Sequence, residues 1–402
     1  MRLRTTLLSL SIVAVLISPS EGFPLGPANI RLLDIAIASL IFVSAIESEK
    51  FEIPSSITVI TVPLILLGLY SILIFPIQPY PIGNSIIDFI ELIEIILFFL
   101  ILSHNLSRLN KSGIETILRS IFFLTVIGSV AGILYYIATG SRFVGVPFIF
   151  GIPSFGIYYG LTYYLYYRNP VTIVFTVIIL IRIIFQNSRS LWITLPVPIL
   201  IIAFLHWKIL TEILERDVLI RISALTSAIA GSIIIAVPPI TDRFLSLVRG
   251  SQFLFARPVV YYSGLQTLVD NPLGIGLGNY ATALQDYTVS GELRYPQWFV
   301  QIVQRDLIEA MFWRFDDGNM GSHSDIFGFL VETGIIGFSL FVLFWILLLR
   351  YIVTSSVSPV QLVLKMSLLY VGLQSIINSQ LLTGGGPYII IILSLLVVRD
   401  DM

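Results

Sequence analysis

The sequence predicts an all-α fold, a polytopic transmembrane helical bundle of about 12 TM helices with one large helical extracytoplasmic loop. Three observations carry that. Of the 402 residues, 56 % are hydrophobic and only 12 % are charged, about half the charged share of a soluble domain. Apolar runs of about 20 residues, the length a helix needs to cross a bilayer, recur from end to end. These runs do not alternate, which argues against a β-barrel. A net charge of −1 argues against a nucleic-acid partner. The chain has no cysteine, so disulfides and thiol catalysis are excluded. Its three histidines, His104, His206 and His323, have no metal-ligand spacing around them, so neither a metal site nor a cofactor is expected.

In chain order, helices are expected at 5–18, 29–46, 55–75, 84–103, 115–138, 149–167, 170–187, 190–207, 222–240, 324–349, 359–381 and 387–398. Residues 1–240 then hold transmembrane helices one to nine, 241–322 the large extracytoplasmic loop, and 323–402 helices ten to twelve. The last run is short, which leaves eleven spans as the alternative. The first run also fits a signal peptide, with Arg2 and Arg4 ahead of an apolar Leu7–Ile17 and Ser18-Pro19-Ser20. Its cleavage-site residues are poor, so a retained helix is favoured. Either reading starts the N-terminus in the cytoplasm.

Basic residues orient the bundle. The predicted inner segments hold Arg2, Arg4, Lys50, Arg108, Lys111, Arg119, Arg168, Lys208, Arg216, Arg221, Arg350 and Arg399, whereas short outer segments offer Arg142, Arg189 and Arg31. That is the positive-inside pattern of a multi-pass protein of the cytoplasmic (inner) membrane. Most connections are brief, but residues 241–322 form a long outer one, and loops of that length are functional or disordered. Its amphipathic stretches, Phe253–Val269 and Trp298–Trp313, predict helices lying over the outer mouth. No internal repeat is evident, which counts against an inverted-repeat transporter.

Charges at membrane depth are costly and are either paired or functional. The helix at 84–103 carries Asp88, Glu91 and Glu94, and the one at 170–187 carries Arg182. An ion-pair ladder joining them is the structural expectation for Arg182, and Arg31 is expected to pair with Asp34, three residues on. Arg189 differs. It sits in Gln186-Asn187-Ser188-Arg189-Ser190 at an outer turn with no local acid. A planar, permanently charged donor fork there suits a diphosphate; a snorkelling interface arginine is the other reading.

In the long loop, Arg257 precedes Pro258 at the head of an amphipathic helix, followed by Asn271-Pro272-Leu273-Gly274-Ile275-Gly276-Leu277-Gly278-Asn279-Tyr280. The alternating glycines superficially match a dinucleotide fingerprint, but no βαβ unit surrounds them. A flexible turn is the expectation. His323, the one histidine on the outer side, stands just before the helix at 324–349. A neutral imidazole there suits proton removal from an attacking hydroxyl; a capping or interface histidine is the alternative, with Ser322 or Ser324 as N-cap. Asp325 and Glu332 share one stripe of that helix, seven apart, and Glu332 is placed to orient or pair with an arginine of the 170–187 helix. Gly334 and Gly337 would permit close helix approach. Ser188, Asp325, Glu332 and Asn279 are thus possible supporting residues around Arg189, Arg257 and His323.

Three features together resemble the O-antigen ligase and polymerase superfamily of envelope enzymes (the Wzy/WaaL type). They are His323-Ser324 followed by Gly334 and Gly337, Ser188-Arg189 at the outer end of a mid-chain helix, and Arg257 followed by the Asn271-Pro272…Gly274-Ile275-Gly276 turn. The pattern spans about Phe175 to Leu349. The resemblance implies a metal-independent, inverting glycosyltransferase acting outside the membrane on a polyprenyl-diphosphate-linked oligosaccharide. It also implies that Arg189 and Arg257 bind the diphosphate and that His323 activates the hydroxyl of a glycan or lipid acceptor. The loop's other cations, Arg243, Arg249, Arg294, Arg305 and Arg314, have no counterpart in that scheme. Two rival readings are a secondary transporter or channel, with Asp88, Glu91, Glu94 and Arg182 as a relay, and a non-catalytic scaffold of an envelope-assembly complex.

Overall fold

The computed structural model of the chain describes residues 2–17, 23–25, 28–30, 32–46, 53, 55–139, 152–186, 194–206, 256–280, 282–283, 325–355, 357–377 and 386–400. Among them are twelve helices, α1 (Arg2–Ile17), α2 (Leu32–Ile46), α3 (Ser55–Ile74), α4 (Ile82–Ser107), α5 (Lys111–Thr139), α6 (Ile152–Tyr167), α7 (Pro170–Gln186), α8 (Pro196–Leu205), α9 (Ala256–Asp270), α10 (Asp325–Thr354), α11 (Pro359–Ile377) and α12 (Gly386–Asp400). Two three-residue strands, β1 (Phe23–Leu25) and β2 (Ala28–Ile30), pair antiparallel between α1 and α2. The helix expected from residue 29 therefore starts at Leu32, because Asn29 and Ile30 are taken up in that small hairpin. Eleven of the twelve expected spans coincide with helices, and the expected 222–240 lies outside the described residues. The remaining helix, α9, falls on the stretch Phe253–Val269 that the sequence marks as amphipathic.

Local chemistry sets the helix starts. Proline opens α7, α8 and α11, where its missing N–H costs nothing. Side-chain caps add to this: Asn169 Oδ1 accepts from the Val171 N–H at 3.0 Å, Asn110 Oδ1 from Gly113 at 3.0 Å and Ser358 Oγ from Gln361 at 3.3 Å.

Among the described residues, three helices are long and apolar enough to cross a membrane, Ser55–Ile74, Lys111–Thr139 and Ile326–Thr354, with shorter apolar helices at Leu33–Phe42, Pro170–Phe185 and Pro196–Leu205. The protein is a membrane protein. Its surface shows the same: α3 exposes Val62, Leu66, Leu69 and Leu73, and α10 exposes Ile335, Leu343, Ile346 and Val353. A helix apolar on both its buried and its exposed face belongs in lipid.

The packing forms a large apolar core that includes Phe98, Phe99, Phe155, Tyr158, Phe341 and Tyr370, beside a smaller cluster of Ile275, Tyr280, Ala283 and Val331. In it α3 lies against α10 and α4, α4 also against α12 and α2, and α6 against α7, α5 and α11. Small residues permit the closest approaches: a Cβ on Gly156 would collide with Ile179 and Thr125, and one on Gly160 with Thr176. Arg182, expected to reach the acids of α4, is buried on α7 and donates from Nη1 to the Gly128 carbonyl of α5 at 2.9 Å. Its guanidinium lies over the space left by Gly132, whose Cβ would stand 2.9 Å from Arg182 Nε. Asp34 is in α2, but its expected partner Arg31 lies outside the described residues.

Candidate functional site

The glycine turn after α9 docks into a break in α10. At Gly334 the backbone of α10 leaves the helix, with φ 64° and ψ −169°. Such a break strands the carbonyls and N–H groups that would have bonded along the helix, and buried backbone groups must find partners. The turn supplies them. Ile275 N donates to the Val331 carbonyl at 3.3 Å, Gly276 N to the Glu332 carbonyl at 2.9 Å, and Ile335 N to the Pro272 carbonyl at 3.1 Å.

The residues of the turn explain why it fits. Gly274 N donates to the Asn271 carbonyl at 2.9 Å, closing a tight turn with Pro272 at its second position. Gly274, Gly276 and Gly278 all have positive φ, 98°, 88° and 72°, so the alternating glycines recur where the chain takes the left-handed conformation. At Gly274 space forbids a side chain as well: a Cβ would stand 2.6 Å from Gly334 N and from the Thr333 carbonyl carbon. Gly334 meets the turn in the same way, with Gly274 N 2.5 Å from where its Cβ would be. The expected flexible turn is thus a docked one. The expected helix approach at Gly334 is an approach of this turn, while Gly337 does face a helix, α3, through Leu67.

Polar groups from α3 and α4 hold the turn from its other side. Asn279, fully buried, donates from Nδ2 to Ser85 Oγ at 2.9 Å and to the Ile275 carbonyl at 3.1 Å. Ser85 Oγ lies 2.9 Å from the Leu277 carbonyl and 3.0 Å from Gln78 Oε1. The Tyr70 hydroxyl donates to the Leu273 carbonyl at 2.7 Å. Asn279→Ala would remove the bonds to Ser85 and to the Ile275 carbonyl in a buried site, and is expected to lower stability by about 1–3 kcal/mol, read as an earlier thermal unfolding of the purified protein.

Glu332 completes the latch. Its Oε1 accepts the Tyr280 N–H at 3.2 Å, and the residue is buried. The sequence also placed it to orient or pair with an arginine of the 170–187 helix; the bond to Tyr280 ties it to the turn. Burial first, then the Glu332 charge, push the Tyr280 phenol well above its ordinary value, so it remains a neutral hydroxyl. Tyr280 also packs edge-on against Phe327 of α10, and Tyr261 of α9 lies 4.8 Å from the same ring.

The register of these contacts places the candidate chemistry. Tyr261 and Gly264 of α9 meet Phe327, and the turn after α9 meets Val331 to Ile335. The two helices therefore run the same way, and their N-terminal ends lie at the same end of the pair. Arg257 is in the first turn of α9, four residues before Tyr261; His323 is two residues before α10 in sequence. At 1.5 Å per residue, Arg257 stands about 6 Å beyond Tyr261 along the axis of α9. Asp325 opens α10. His323, Ser188 and Arg189 lie outside the described residues, α7 ending at Gln186. Ser85, Gln78, Tyr70 and Tyr280 had no sequence signal tying them to the site: each reads locally as a helix or loop residue, and its partner is far away in the chain. Among the described residues no group of acidic or histidine side chains is arranged to hold a metal ion.

Residues 174–342 match the Wzy_C family, described as O-Antigen ligase. Over this segment the chain is similar to the O-antigen ligase/polymerase superfamily. The matched segment begins within α7, ends within α10 and takes in Arg189, Arg257, the glycine turn, His323 and Gly334. Comparison with curated proteins returns no match.

Proposed function

We propose that this O-antigen ligase-type membrane enzyme is an inverting, metal-independent glycosyltransferase whose site faces the extracytoplasmic side. It transfers or polymerises an oligosaccharide from a polyprenyl-diphosphate carrier. The observation that supports this best is the parallel docking of α9 and α10 within the matched segment, which turns the helix start bearing Arg257 and the helix start following His323 toward one end.

The chemistry divides between the two residue types. His323 takes the proton from the acceptor hydroxyl as that oxygen attacks the anomeric carbon. The bond from that carbon to the diphosphate breaks with inversion, and the electron pair leaves on the lipid diphosphate. Arg189 and Arg257 bind that leaving group and stabilise the charge it gains, the task a metal performs in other sites. Asn279 and Glu332 act at one remove, by fixing the turn that joins α9 to α10. Asp325, at the head of α10, and Ser188, beside Arg189, support the same groups.

Arg189→Lys keeps the charge and removes the bidentate fork. Transfer from a lipid-linked donor is expected to fall by about tenfold to a hundredfold, with the protein still folded and inserted. Transfer near the wild-type rate would rule out direct diphosphate clamping by Arg189.

A further inference from the structure

A recess lies where the C-terminal end of α10 meets the start of α3. Arg350 and Thr354 of α10, with Ser55 and Ser56 of α3, line its polar part; Val59 of α3 and Leu347 of α10 line the apolar part, and the whole encloses about 360 Å³. The two helices run antiparallel here, since Gly337 faces Leu67 one way along the pair and Arg350 faces Ser55 the other. The recess is therefore graded. Its cation and hydroxyls sit at the helix ends, and its apolar floor lies deeper along two helices that are both long and apolar enough to cross a membrane. No carboxylate among the described residues lines it.

That gradient has the chemistry of an anionic amphiphile set upright in a bilayer. We infer that the α3–α10 recess binds an anionic phospholipid, with the phosphate at Arg350 and the hydroxyls of Ser55, Ser56 and Thr354, and an acyl chain along Val59 and Leu347. A free inorganic anion would make no use of the apolar floor, and a zwitterionic lipid, whose ammonium opposes the guanidinium, would gain less. Basic residues at the inner end of membrane helices attract anionic headgroups, and Arg350 is at the inner end by the charge pattern of the sequence. The site lies about 40 Å along α10 from its start, so it stands or falls independently of the glycosyltransferase reading.

The test is lipid binding to the delipidated full chain in detergent, titrated with phosphatidylglycerol or phosphatidylcholine and counted by native mass spectrometry. Wild type is expected to hold one phosphatidylglycerol in preference to phosphatidylcholine. Arg350→Gln is expected to weaken that binding by about fivefold, while Arg350→Lys retains most of it. Arg350 is exposed, so its loss leaves the packing intact. Val59→Trp, also at an exposed position, would fill the apolar floor and weaken binding with the charge untouched. Equal binding of phosphatidylcholine, or wild-type binding by both Arg350→Gln and Val59→Trp, would overturn the assignment. So would displacement of the lipid by excess inorganic phosphate, which would make this a simple anion site.

Discussion

His323→Ala is expected to leave membrane insertion intact and to abolish high-molecular-weight glycan, seen as loss of the ladder on a gel at equal protein level. The hydroxyl that attacks the anomeric carbon is a poor nucleophile until its proton is taken, and a positioned base contributes about a hundredfold to ten-thousandfold. No neighbouring residue of the histidine motif Gly321-Ser322-His323-Ser324-Asp325 replaces an imidazole: two serines do not titrate near neutral pH, and Asp325 is already within α10. Phe327 keeps its packing against Tyr261 and Tyr280 in the variant, which is expected to fold. Normal glycan made by a folded His323→Ala protein would remove the acid–base role. Solute uptake into liposomes that is insensitive to the same substitution would favour transport instead.

Gly334→Ala is expected to unseat the docked turn. Its Cβ would meet three backbone atoms of the docked turn, among them Gly274 N at 2.5 Å, and backbone has no flexible end to move aside. Its φ of 64° is also strained for alanine. The turn must then lift, and the three hydrogen bonds it makes to Val331, Glu332 and Ile335 are lost. The combined cost is on the order of 3 kcal/mol or more, and the start of α9 is released from the start of α10. Both thermal stability and transfer activity should fall, and limited proteolysis should open the region around residue 272. Gly83→Ala is the matched control, because nothing lies within 4 Å of the Cβ it would add. A Gly334→Ala protein as stable and active as Gly83→Ala would mean that the docked turn does not hold the site.

Much of the fold was legible because its signal is local. Apolar runs of membrane length gave α3, α5 and α10 within a few residues, and the amphipathic stretch Phe253–Val269 gave α9, because length and periodicity do not depend on partners. Non-local partners were not legible. Gly334 in an apolar helix reads equally as a helix-packing position or as a break, and only the turn lodged against it decides. Gly274, Gly276 and Gly278 read as flexibility when taken alone; their positive φ values are what a fixed, docked turn requires. Arg182 invites an ionic partner by its type alone, whereas its Nη1 bond to the Gly128 carbonyl of α5 joins segments far apart in the chain. Of the candidate site, the histidine and arginine motifs stood out by residue type, whereas the frame around them, Ser85, Asn279, Tyr280 and Glu332, is made of contacts between distant segments.

Whether the three catalytic candidates share one pocket can be measured directly, because the chain has no cysteine of its own. Pairs of cysteine substitutions, Arg257→Cys with His323→Cys and Arg189→Cys with His323→Cys, would be treated in native membranes with a short bifunctional thiol reagent. Convergence predicts an intramolecular cross-link in both pairs and none in His323→Cys with Arg350→Cys, whose positions are separated by most of α10. Failure of either of the first two pairs to cross-link, while each thiol still reacts singly, would contradict the shared site.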